Sequence, residues 1–457
     1  MALSSVIVTM NTQRITDDSS SPAQAPGGAR LAFGGSTAWG RTETQISQTA
    51  YVAFLLLVFV GLSPFATPVT SPGADALGSG AGDAMRQISY LAVFGVIAGM
   101  AVLHRGWRAL AAIPLSFAIL LGWCLLSSAW SLEPAVTLRR AVLVSIVATS
   151  AMLAVNTIGP ARSLELLRYV LAGVVLVCWI SLPLIAQSRH LASDVEQGVA
   201  GDWRGLYAHK NIAGAVCADA AIAFLYFALR FRRLVDWALC LAALGFLIGT
   251  NSKSSLGLLP LALLAGAVYR FGTKSASNRQ IAAIATACLA ATAAGSMFVW
   301  WGPLVQMLQD PTQFTGRVAI WQAEFAFIRD HPLLGSGYGT FAYTGESSPI
   351  YQYISAAWVG TVANGHHGYL ELFVTLGIPG FVLAMLALFA RPAVWFAERS
   401  NLDAGFRGLL FTIFAFFLMH NFVETNFLNT DGAEWVTFLL AIAMLKTARM
   451  DLKPLLC

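Results

Sequence analysis

Apolar residues come in long blocks along this chain, broken by short polar stretches. Twelve blocks stand out, near 49–67, 87–103, 109–128, 137–156, 164–186, 212–229, 234–250, 255–270, 281–300, 367–390, 407–424 and 433–446. Most approach the ~20 residues that a helix needs to cross a hydrocarbon core. Lipid offers no hydrogen-bond partners, so such blocks must satisfy their own backbone and are expected to be helices. One polar interval is far longer than the rest and runs from 301 to 366. The pattern predicts an all-α, polytopic transmembrane helical bundle of about twelve spans with one long loop that contains short helices.

The rest of the chain divides accordingly. Residues 1–46 are rich in Ser, Thr, Gly and Pro, as in Asp17-Asp18-Ser19-Ser20-Ser21-Pro22, and are expected to form a disordered tail. No short basic segment leads directly into an apolar core, so the first block is expected to stay as a membrane helix rather than act as a cleaved signal. Residues 47–300 would hold helices one to nine, 301–366 the long loop, 367–447 helices ten to twelve, and 448–457 the C-terminal segment.

Composition agrees. Of 457 residues, 57% are apolar and only 11% charged, against about 25% charged in a soluble domain. The net charge of +5 is small, and nothing in its distribution points to nucleic acid. The six cysteines lie in or beside apolar blocks, apart from Cys457. They have no metal-ligand spacing and read as small packing residues. A Walker motif and an Asp-rich metal cluster are both absent from the sequence, so neither nucleotide-driven transport, metal chemistry nor a cofactor is expected.

The basic residues set an orientation. With the N-terminus inside, 19 of the 28 Lys and Arg fall on the cytoplasmic side, including the short loop Arg230-Phe231-Arg232-Arg233. Such loops carry the strongest topological signal. The long loop then faces outward, into the periplasm of a Gram-negative cell. The nine exceptions are Arg86, Arg139, Arg140, Arg189, Arg204, Lys210, Lys253, Arg317 and Arg329. Several sit at the outer ends of blocks, where they suit a phosphate or pyrophosphate at headgroup depth. Anchoring among lipid phosphates is the alternative for Arg139, Arg140 and Lys253.

Inside the long loop, Val318, Trp321, Phe325 and Ile328 recur at helical spacing and predict a short helix lying in the membrane interface with this apolar stripe down, or else an amphipathic helix packed on the bundle. Arg317, Trp321 and Glu324 share a neighbouring face, and Pro332 ends the helix. Gly335-Ser336-Gly337-Tyr338-Gly339 lacks dinucleotide-binding spacing and reads as a tight turn. At the loop's end, His366 and His367 are candidates for proton transfer.

Five motifs occur in order: Leu126-Ser127-Ser128-Ala129-Trp130-Ser131-Leu132-Glu133-Pro134 with Thr137-Leu138-Arg139-Arg140; Arg204-Gly205-Leu206-Tyr207-Ala208-His209-Lys210-Asn211; Ser252-Lys253-Ser254-Ser255; Gly316-Arg317 through Trp321 to His331-Pro332-Leu333-Leu334-Gly335; and His366-His367-Gly368-Tyr369-Leu370-Glu371. Together they resemble the O-antigen ligase/polymerase superfamily of bacterial envelopes, within it most closely the succinoglycan-type exopolysaccharide polymerases. The likeness runs over roughly residues 110 to 440. It departs at His367, where the family usually has Asn.

The resemblance implies a GT-C-like membrane glycosyltransferase of the inner membrane, without metal or cofactor. Its donor would be a glycan on undecaprenyl pyrophosphate and its acceptor a second glycan, joined with inversion at the periplasmic face. His366 matches the base, with His367 as the alternative. Arg317 and Arg204 match the pyrophosphate-binding arginines, with Lys210, Arg139 and Arg140 as secondary candidates. A flippase and a chain-length regulator are the implied protein partners. A ligase acting on lipid A-core or protein is the alternative within the family. A transporter or lipid flippase is the alternative outside it, disfavoured because no paired halves are visible in the sequence.

Overall fold

The computed structural model describes residues 40–66, 84–192, 194, 198–309, 317–342, 344, 347–354, 365–398 and 402–452. The expected tail therefore lies outside them, apart from its last residues. Each of the twelve apolar blocks is helical. In chain order the helices are α1 (Arg41–Phe59), α2 (Ala84–Arg105), α3 (Leu115–Leu126), α4 (Pro134–Ile158), α5 (Pro160–Leu184), α6 (Lys210–Phe231), α7 (Leu234–Gly249), α8 (Lys253–Gly272) and α9 (Ala276–Val299). There follow α10 (Trp301–Gln309), α11 (Arg317–Asp330), α12 (Gly368–Ala384), α13 (Arg391–Ala397), α14 (Ala404–His420) and α15 (Ala433–Leu452). Among the described residues, seven helical stretches are long and apolar enough to cross a membrane, and three apolar helices are shorter.

Several boundaries differ from expectation, among them the end of the first block, where α1 stops at Phe59; two others have a visible local reason. The chain turns helical at Arg41, inside the expected tail, because the Glu43 carboxylate accepts the Gly40 N–H at 3.0 Å and closes the first turn. The block expected to run to 424 stops at His420. The Asn421 side chain accepts the N–H groups of Asn426 and Phe427 at 3.0 and 2.8 Å and folds the backbone out of the helix. Glu424 is thereby released into a turn.

Helix α6 runs through the middle of the bundle. Ala213, Gly214, Ala215, Ala218, Ala220 and Ala221 are all buried and let neighbouring backbones approach closely. Aromatic side chains fill the space around α15, where Trp435 and Phe438 meet Phe117 and Phe417. Cys124, Cys178, Cys217 and Cys240 are free and buried, as packing residues should be, whereas Cys288 on α9 is exposed.

Helix α12 is broken, and the break organises the loop end of the bundle. Gly377 is non-helical with φ +66°, and Pro379 has no N–H to give. Two helical hydrogen bonds are lost, and the freed groups bind the glycine-rich turn instead. Val374 and Thr375 carbonyls accept the N–H groups of Ser336 and Gly337 at 2.9 and 3.0 Å. The Ile378 N–H donates to the Pro332 carbonyl at 3.0 Å. Gly335, Gly337 and Gly339 all have positive φ, as the expected tight turn requires.

The first motif clamps this turn from the other side. The Trp130 indole donates to the Leu334 carbonyl at 2.9 Å, and Ser127 Oγ accepts the Tyr338 N–H at 3.0 Å.

Candidate active site

Four segments distant in sequence meet at the Glu424 carboxylate. Oε2 lies 2.9 Å from His366 Nδ1, and Oε1 accepts from Arg317 Nη2 at 3.1 Å. Oε1 also accepts from the Asn211 side-chain amide at 2.8 Å. Arg317 spends a second N–H on the Val423 carbonyl at 2.6 Å. The cluster thus draws on the start of α6, the start of α11, the residue two before α12 and the turn after α14.

Burial alone would raise the Glu424 carboxyl. The hydrogen bond and charge of His366 and the charge of Arg317 outweigh it and hold the group down at about 2. Glu424 is thus a fixed anion at any working pH. Carboxylate binding at Nδ1 gives the proton-accepting role to Nε2 of His366 and would stabilise the imidazolium once formed.

His366 itself sits at φ +50°, a backbone region that non-glycine residues rarely adopt. Such strain persists only where the surroundings hold it, and it gathers at functional sites. Here the surroundings are visible: the Trp321 indole donates to the Gly365 carbonyl at 2.8 Å, and the Gly365 N–H reaches Glu371 Oε2 at 3.3 Å.

His367 does something else. Its Nδ1 accepts the Leu370 N–H at 3.2 Å and caps α12, and burial lowers its pKa. Asparagine is an equally good N-cap. His367→Asn is therefore expected to keep glycan transfer within about threefold of wild type in a membrane assay. A loss as large as that of a His366 variant would reassign the base.

The remaining basic candidates divide. Lys210 opens α6 beside Asn211, but its Nζ is bound to Asp202 at 2.6 Å. Its own N–H donates to His190 Nε2 at 3.1 Å, and His209 Nδ1 accepts the Asn211 N–H at 3.1 Å. Burial, ahead of the opposing hydrogen bond to Asp194, lowers the His190 pKa, so a neutral ring can accept there. Arg204 is fully buried and turned onto backbone: Nε donates to the Gln187 carbonyl at 2.7 Å and Nη1 to the Ala208 carbonyl at 2.9 Å. Its Nη2 has no hydrogen-bond partner among the described residues. Arg204 therefore shapes the loop that delivers Lys210 and Asn211, while Arg317 and His366 share the Glu424 centre.

Arg140 donates to the Gly339 carbonyl and braces the glycine-rich turn. Arg139, next to it on α4, is half-exposed.

The face assignment of α11 was half right. Arg317, Trp321 and Glu324 do share a face, and it points at the 365–366 segment and the 423–424 turn. The expected stripe of Val318, Trp321, Phe325 and Ile328 divides: Val318 is buried, Trp321 is bound to Gly365 and Ile328 packs against the cluster under the helix, whereas Phe325 is 61% exposed. That cluster is built from Ile320, Ala323 and Phe327, against Phe341, Ala342, Ile350 and Val374.

Glu424 and Asn211 were missed as site residues. Asn211 was visible within the second motif. Glu424 was hidden inside an apolar block, and the only signal was the polar run Asn421-Phe422-Val423-Glu424-Thr425-Asn426.

The third motif supports the cluster from below. Ser255 Oγ lies 3.3 Å from His420 Nε2, and His420 Nδ1 lies 2.8 Å from the Asn426 amide.

No curated protein matches the chain significantly. Residues 238–385, from α7 into the helix that continues α12 and including both Arg317 and His366, match the model of a family described as O-antigen ligase. That match, over less than half of the chain, supports a place in the O-antigen ligase/polymerase superfamily and a ligase or polymerase role in glycan assembly at a membrane.

Proposed function

We propose that the protein is a polymerase that joins glycan repeat units carried on undecaprenyl pyrophosphate. The observation that carries this reading is the Glu424 centre, where a histidine and an arginine share one carboxylate. The acceptor hydroxyl gives its proton to His366 Nε2 as its oxygen bonds to the donor sugar's anomeric carbon. The bond from that carbon to pyrophosphate breaks on the opposite face, and the electron pair leaves with the pyrophosphate. The configuration inverts.

Arg317 uses two of its five N–H donors on Glu424 and Val423. Others can bind the departing pyrophosphate, whose charge grows as the bond breaks. The donor is already activated, so positioning and charge stabilisation supply most of the catalysis. Lys210, Arg139 and Arg140 would add positive charge around the lipid headgroup, and Arg204 would hold the loop that carries Lys210. No step calls for a metal.

Orientation follows from charge. Helix α6 starts at this centre and ends at the basic run Arg230, Arg232 and Arg233, and Arg105, Arg108, Arg162, Arg270, Lys274 and Arg279 would share that face, as expected of a cytoplasmic one. The centre then faces the periplasm across the inner membrane. A flippase would deliver the substrate, and a chain-length regulator would act on the product.

The description of the matched family favours a second reading, ligation of finished glycan to lipid A-core or another acceptor. Deleting the gene separates the two. A polymerase mutant loses long chains while single repeats persist. A ligase mutant keeps long chains on the lipid carrier, and that result would replace the preferred reading.

A further inference from the structure

Beneath the His366 backbone lies a pair of carboxyl groups that the proposed chemistry does not use. Glu324, on α11, is completely buried, and neither of its oxygens has a hydrogen-bond partner among the described residues. Its carboxyl packs directly on Gly365. A Cβ placed on Gly365 would come within 1.9 Å of Glu324 Oε1, so a side chain there would have to displace the Glu324 carboxyl. From the other side, Glu371 on α12 accepts the Gly365 N–H at 3.3 Å. The Gly365 peptide is thus held between two acidic residues on different helices, and the next residue is the strained His366.

Two carboxylates in a dry site cannot both ionise cheaply. Glu371 has a donor in the Gly365 N–H, and the charge facing it from α4 is Arg140. Glu324 has neither. Burial, and then the charge of Glu371, push its pKa well above the usual carboxylate range. Other charged or titratable groups nearby are committed elsewhere: Arg317 and His366 to Glu424, and His367 to the α12 cap.

We infer that Glu324 and Glu371 carry one proton between them, and that this neutralised pair is the floor that holds Gly365 and the His366 backbone in place. They are positioning residues, and ionising the second carboxyl unseats the histidine. The inference extends the proposed function, but its first test does not depend on glycan chemistry.

A carboxyl whose pKa is raised on folding stabilises the fold at low pH, and the contribution is lost as pH rises through the folded value. In detergent or nanodiscs, the wild-type Tm should therefore fall as pH rises from the unfolded carboxyl value of 4.5 through the raised folded value, and Glu324→Gln should flatten that fall. Gln keeps the shape of the neutral acid. In a glycan-transfer assay the same variant should stay within about threefold of wild type near neutrality. It should also lack the wild-type alkaline decline, expected at roughly tenfold per pH unit.

Identical Tm–pH curves for wild type and variant would overturn the inference. So would a well-folded Glu324→Gln protein inactive at every pH, because the charge itself would then be needed. If Glu324→Gln does not fold, Glu371→Gln carries the same Tm comparison. A flattened Tm curve in a protein that transfers no glycan would leave the carboxyl pair standing and overturn the proposed function instead.

Discussion

Glycan transfer should fall by roughly 10²–10⁴-fold when His366 is replaced by alanine, the range expected for loss of a positioned general base. The protein should still insert and fold, since the ring is partly exposed. Glu424→Gln probes the same assembly from the other side. Glutamine preserves size but offers an amide where His366 Nδ1 and Arg317 Nη2 both need an acceptor anion. Where a buried carboxylate fixes a catalytic histidine's tautomer, the amide substitution has cost about 10⁴-fold. We expect a loss approaching that of His366→Ala, and the double variant should be little worse than either single one, because the two residues act as a unit.

Stability supplies an independent check. Glu424 is held at about 2 against an ordinary 4.5, so its contribution is in place above 4.5 and disappears as pH falls toward about 2. Glu424→Gln should be less acid-sensitive than wild type in thermal unfolding. An active Glu424→Gln protein would remove this residue from the mechanism.

Arg317→Ala is the second large effect. It removes the donors to Glu424 and the Val423 carbonyl and, in the proposed reaction, those on the leaving pyrophosphate. Loss of one preorganised donor to developing charge costs about 10²–10³-fold, and loss of a whole guanidinium should reach at least that. Arg317→Lys should recover little, because an ammonium cannot span Nη1 and Nη2 contacts 106 and 107 residues away in sequence with one rigid fork. The measurement is polymer length and yield in a deletion strain expressing each variant at matched levels. Near-normal polymer from Arg317→Ala would exclude its role.

Much of this arrangement was legible in the chain. Apolar blocks of membrane length forced helices, and each appears. The Arg317, Trp321 and Glu324 spacing put three residues on one face, where Arg317 meets the 423–424 turn and Trp321 and Glu324 meet Gly365. What could not be read were contacts between segments far apart. Glu424 is 58 residues from His366 and 107 from Arg317, and no periodicity links them. It also sat in a stretch apolar enough to pass for membrane, until the Asn421 side chain turned the backbone away. Arg204 shows the opposite limit. Its motif marked it as a ligand-binding group, whereas its side chain is bound to the carbonyls of Gln187 and Ala208. Composition cannot tell an arginine that meets a substrate from one that shapes a loop. On α11 only Phe325 leaves the packed side: apolar periodicity finds a face that avoids water, and near lipid an exposed Phe325 costs little.

The central claim is that this protein forms a glycosidic bond from a lipid pyrophosphate donor through His366. The most direct measurement uses purified protein in nanodiscs with a defined undecaprenyl-pyrophosphate oligosaccharide and a metal chelator. It follows release of the lipid pyrophosphate and the anomeric configuration of the product. We predict stoichiometric release, an inverted linkage and no product from His366→Ala. Full activity in His366→Ala, or lipid-linked glycan that crosses the bilayer without a new bond, would contradict the account.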